Sequence, residues 1–113
     1  MITIEKLKSF GANTDEGVQR CMNNVDFYLM LVNKSLANNQ IPSLEDAIKS
    51  GDLKKGFEIA HGMKGVFGNL SLTPLYEATC EITELLRNKV EMDYSSLLEK
   101  IKQLYQSLLD LAK

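Results

Sequence analysis

Apolar residues recur every three to four positions through most of this chain, and no stretch alternates apolar and polar over strand length. A period near 3.6 turns one helix face toward a core, whereas a half-buried strand needs a period of two. The pattern therefore predicts an all-α fold. Only two prolines occur, Pro42 and Pro74. Both fall where helices are expected to start, in a first turn that leaves its N–H groups unpaired and so tolerates their lack of one. At 113 residues with 44% hydrophobic positions, the chain can bury a core of its own and is expected to form one domain over residues 1–113.

Capping residues divide the chain into segments. A short helix is expected over residues 3–9, closed by Gly11, with Asn13, Thr14 and Asp15 supplying capping oxygens for the next. A break at Asn23 and Asn24 precedes a helix whose inward face is Val25, Tyr28, Leu29, Val32 and Leu36. Ser43 with Asp46 resembles a capping box for a short helix that stops at Gly51, a favoured left-handed terminator. Asp52 opens a segment with Ile59, Met63, Val66, Phe67 and Leu70 as its inward stripe. Thr73 and Pro74 start another, with Leu75, Ala78, Ile82 and Leu85 inward, and Asp93 caps a last one carrying Tyr94, Leu97, Leu98, Ile101, Leu104, Tyr105 and Leu108. Four long amphipathic helices joined by short loops predict an antiparallel up-and-down four-helix bundle, with additional short N-terminal helices.

Composition narrows the function. Thirteen basic against fifteen acidic side chains leave a formal net charge of -2, which gives no electrostatic reason to bind nucleic acid or an anionic membrane. The longest apolar run, Phe27 to Val32, is far short of the roughly 20 residues that span a bilayer. The N-terminus has no basic segment leading into an apolar stretch, so a cytoplasmic location is expected. Cys21 and Cys80 stand far apart, without Cys-x-x-Cys spacing, and read as buried free thiols. With one histidine and no glycine-rich nucleotide loop, any chemistry must involve very few residues.

The unusual segment is residues 56–70, where Gly56, Gly62, Gly65 and Gly68 fall inside a stretch whose apolar stripe demands a helix. Each costs about 0.8–1 kcal/mol relative to alanine, so roughly 3–4 kcal/mol of helix preference is forgone. Close helix packing explains Gly56 and Gly62. It explains Gly65 and Gly68 less well, because these share a side with His61 and Lys64, away from the stripe. An imidazole nitrogen is a nucleophile near neutral pH, and a phosphoryl group on it would bring nearly two negative charges, which Lys64 one turn later could offset. Glycines around the ring would let a second protein approach.

The run Ala60-His61-Gly62-Met63-Lys64-Gly65-Val66-Phe67-Gly68-Asn69-Leu70 resembles the signature of histidine phosphotransfer (HPt) domains: His-x-hydrophobic-Lys-Gly, then small residues and a leucine. Ile48 to Asp52 and Leu75 to Leu86 extend the likeness over most of the chain. Ser71 stands where the family often has glycine, and Ile82-Thr83 where a hydrophobic-glutamate pair is common. The resemblance implies a phosphoryl carrier rather than an enzyme, in a bacterial-type two-component phosphorelay. His61 would accept the group from an aspartyl-phosphate on one receiver domain and pass it to another. Lys64 would neutralise charge, and Gly65, Gly68 and Phe57 would lie in the docking face, with further exposed apolar residues from this helix and the Val25 to Leu36 helix. The expected partners are response-regulator receiver domains and a hybrid histidine kinase. The chain would be a monomer without a cofactor or metal of its own, the receiver bringing magnesium.

Other readings are a helical adaptor that docks receivers or kinases without carrying phosphate, and the phosphoacceptor domain of a larger, chemotaxis-type kinase. Glu58-Ile-Ala-His61 has the Glu-x-x-His spacing of di-iron bundles, but that architecture needs two such motifs and only one histidine exists. His61, Cys21 and Cys80 could form a mixed metal site only if the fold brought them together.

Overall fold

Side-chain oxygens set most of the helix starts in the structure, a computed structural model that describes all of residues 1–113. Thr3 accepts from Lys6 N to begin α1 (Ile4–Phe10), and Asn13 accepts from Glu16 N to begin α2 (Thr14–Arg20). Asn24 and Asp52 do the same for α3 (Val25–Ala37) and α5 (Leu53–Asn69). Pro42 and Pro74 lie in the first turns of α4 (Ile41–Lys49) and α6 (Thr73–Arg87). Asp93 accepts from Ser95 N at the head of α7 (Ser95–Leu111). Gly11 and Gly51, at φ +108° and +79°, end α1 and α4 in the left-handed region that favours glycine. The Ser43 capping box does not form. The α4 helix starts two residues earlier, where Asn39 Oδ1 accepts from Ile41 N at 3.0 Å, and Ser43 lies exposed inside it.

The fold is an all-helical bundle. Its core is one cluster of 23 buried residues contributed chiefly by α1 and α3 to α7. Helix α5 lies along α6 and against α4, while α7 packs on α6 and α1. A Lys102–Glu45 ion pair ties α7 to α4. Two of the expected inward residues face out instead: Val25 is 43% and Val66 44% exposed, and Leu29, Ile59, Leu85, Leu97 and Leu104 are only half-buried. Val66 and the half-buried residues lie at the edge of their helices' apolar arcs, where the wheel separates core from surface least well. Val25 is central to its arc but is the first residue of α3. Cys21 is buried, but Cys80 is half-buried.

Two phenols fasten α3. Tyr105 on α7 donates to Leu36 O at 2.6 Å, and Tyr28 on α3 donates to Leu70 O at 2.8 Å, just past the end of α5. Burial pushes the Tyr28 hydroxyl up to about 12, because charge on the phenolate would be desolvated there. Gly17 makes room for this ring: a Cβ at that position would lie 2.4 Å from Tyr28 Cε1. Gly17→Ala is therefore expected to destabilise the protein by about 1–3 kcal/mol through overpacking, against the roughly 0.8–1 kcal/mol that alanine adds to a helix. Urea unfolding measures it, and a midpoint no lower than that of the unaltered chain would contradict the contact.

Candidate functional site

The crest of α5 that faces solvent carries His61 and Gly65, with Lys64 half-buried beside them. Helix geometry explains the local arrangement. Side chains lean toward the helix N-terminus, so each residue covers the one four positions earlier. His61 accordingly leans on Phe57, with ring centroids 5.5 Å apart and planes 20° from parallel. Nothing leans on His61 in turn, because the residue four positions later is Gly65, where a Cβ would meet no atom within 4 Å. The imidazole is thus exposed and uncovered on its C-terminal side. It takes part in none of the side-chain hydrogen bonds. On the neighbouring helix Thr83 is buried and donates to Thr79 O at 2.6 Å rather than reaching toward the ring.

Lys64 is in no ion pair. Glu16 and Glu77 line the same cleft without pairing with it, which leaves the ammonium free to meet an anion arriving at the crest. Phe57 is half-buried and packed against the core, and the Arg87 guanidinium lies 5.1 Å from its ring centroid. Such a cation–π contact is worth about 0.5–1 kcal/mol at an exposed site. Arg87 is itself paired with Glu84 at 3.2 Å.

The four helix glycines serve different ends. A Cβ at Gly56 would make only ordinary contacts with Leu86 and Ile48 at 3.5–3.6 Å, so the close packing expected to explain this glycine does not require it. Gly62, expected to be a packing glycine, instead opens on empty space like Gly65. Gly68, expected on the open side, is covered: its Cβ would lie 2.9 Å from Tyr76 Cε1. The reversal arises because Tyr76 of α6 lies over Gly68, whereas Gly62 faces the groove beside α3.

Two depressions flank the crest. A groove of about 630 Å³ runs between α3 and α5, lined by Leu31, Lys34, Ile59, Gly62 and Val66 among others. Phe27 and Met30 on α3 and Val66 on α5 are exposed apolar residues on the two helices from which a docking patch is expected. On the other side a polar cleft of about 540 Å³ contains Lys64, Gly65, Gly68, Arg20 and Tyr76. Arg20 was not singled out from the sequence. It donates to Gly68 O at 3.1 Å and pairs with Glu16 at 3.3 Å, and Glu16 accepts from Ser71 Oγ at 2.8 Å. Ser71 has φ +55°, the conformation for which glycine is the usual choice. Asn13 N donates to Ser71 O at 2.9 Å, so α2 fastens the turn that ends the histidine helix. Cys21, Cys80 and His61 are not gathered into a metal-ligating cluster.

A family model described as "Hpt domain" matches residues 34–111. No curated protein and no solved structure matches the chain. The matched region begins within α3 and runs to the end of α7, leaving α1 and α2 outside it.

Proposed function

This chain belongs to the Hpt domain family, with a phosphotransfer-related role in two-component systems, and from that premise we propose that His61 is its phosphoacceptor. A single observation carries the assignment: the only histidine of the chain stands exposed on a 17-residue helix, with open space where the next turn would cover it. An imidazole nitrogen attacks the phosphorus of an aspartyl-phosphate on a receiver domain. An N–P bond forms as the O–P bond breaks, the receiver's carboxylate leaves, and the second ring nitrogen keeps the proton. The reverse step on another receiver completes the relay. Such transfer depends on positioning and charge neutralisation more than on covalent machinery, and the chain supplies the nucleophile and the Lys64 ammonium. Magnesium belongs to the receiver's acidic pocket.

The groove between α3 and α5, lined by Leu31, Ile59, Gly62 and exposed Val66 on the histidine helix, is the docking surface for the receiver, with exposed Phe27 and Met30 of α3 as further apolar candidates. The partners are receiver domains and a hybrid histidine kinase that contains one, met by a monomer in the cytoplasm. No helix is long and apolar enough to cross a membrane.

Mixing the protein with a phosphorylated receiver domain and magnesium is expected to transfer one phosphoryl group per chain. A phosphohistidine is labile in acid and stable in base, opposite to a phosphoserine. Failure to acquire such a label from any receiver of the source organism would leave the helical adaptor, which docks without carrying phosphate.

A further inference from the structure

The imidazole's one ring contact comes from the helix turn below it. The His61 ring makes no hydrogen bond, Gly65 leaves its C-terminal side empty, and Phe57 is stacked on it within 20° of parallel, with centroids 5.5 Å apart. Phe57 is fixed in turn: its ring packs against the core, and Arg87, paired with Glu84, holds its guanidinium 5.1 Å from the ring centroid. A ring anchored from two sides makes a poor adaptable docking contact but a good shelf. We infer that Phe57, clamped by Arg87, is a positioning residue that holds the His61 imidazole in one rotamer, ready for in-line attack.

This rests on His61 being the phosphoacceptor. Without the shelf, a histidine on a helix surface has two accessible χ1 wells and two broad χ2 orientations, so the reactive nitrogen would face outward about a quarter of the time. Transfer in the docked complex should slow by that factor, while association with the receiver should not change.

Single-turnover transfer from a phosphorylated receiver, followed over a range of receiver concentrations, separates the maximal rate from the apparent Kd. For Phe57→Leu the expected result is a roughly fourfold fall in maximal rate with an unchanged Kd, and for Phe57→Tyr, which keeps the ring, a near-normal rate. NMR of the imidazole protons should show cross-relaxation to the residue 57 ring in the unaltered and Phe57→Tyr proteins, and rotamer averaging in Phe57→Leu. Urea unfolding confirms that each variant is folded. An unchanged maximal rate with a weakened Kd would make Phe57 a docking contact and overturn the inference, as would an imidazole equally ordered in Phe57→Leu. If the unaltered protein takes up no phosphoryl group, the acceptor assignment fails by itself, and the NMR comparison still decides whether Phe57 orders the ring.

Discussion

His61→Gln is expected to abolish the acid-labile phosphoryl label, to below about one part in 10³ of the unaltered protein, as removal of a nucleophile does. Glutamine can occupy the same space, but its amide nitrogen has a delocalised lone pair and cannot take the phosphoryl group. The chain has no second histidine to substitute. Stability should hardly move, within about 0.5 kcal/mol, because the ring is exposed and its one aromatic contact is with Phe57. Lys64→Ala makes the graded comparison. Losing one ammonium near a partly solvated dianion costs on the order of 1 kcal/mol, so transfer should slow by about fivefold and still go to completion. Autoradiography after acid and base treatment reads the label, and circular dichroism with urea reads the fold. A label that survived in His61→Gln would place the acceptor elsewhere.

The helices were legible because their ends are written in local chemistry. Asn13, Asn24, Asp52 and the two prolines act within one turn of where they stand, so sequence spacing suffices to place them. Ser43 misled because a Ser-x-x-Asp spacing was available there, while Asn39 bonds Ile41 N from outside the box and starts α4 earlier. The histidine crest was legible for a similar reason: His61, Lys64 and Gly65 lie within five residues of one helix, where 100° per residue fixes their relative direction. What lies across a helix interface was not. Whether Gly62 or Gly68 is open depends on where α3 and α6 pass, and nothing in residues 56–70 records that Tyr76 comes to cover Gly68. Arg87 over Phe57 and Arg20 on Gly68 O join residues 30 and 48 positions apart, distances at which periodicity carries no information. Ser71 is intermediate: the departure from glycine was visible, but its φ of +55° and the Glu16 carboxylate that receives its hydroxyl came only with the fold.

Gly65 should separate stability from transfer more sharply than any other position. Folding has no use for the missing side chain there, since a Cβ would touch nothing within 4 Å. Gly65→Ala is therefore expected to stabilise the protein by about 0.8–1 kcal/mol, the ordinary gain in helix preference. Gly65→Trp should also fold, yet its side chain, leaning toward the helix N-terminus, would lie over the residue four positions earlier, which is His61. An indole above the imidazole holds the incoming aspartyl-phosphate back by well over 1 Å, and a misplacement of that size costs about 100-fold in rate. Urea midpoints at or above that of the unaltered protein, together with a transfer rate about two orders of magnitude lower for the tryptophan variant, are the expected pair of results. Normal transfer by Gly65→Trp would mean that the receiver does not approach over this turn of α5. The stability that glycine forgoes at position 65 would then have no functional counterpart. Read together with the loss in His61→Gln, a slow but well-folded Gly65→Trp would locate the approach path on the C-terminal side of the ring, opposite the Phe57 shelf.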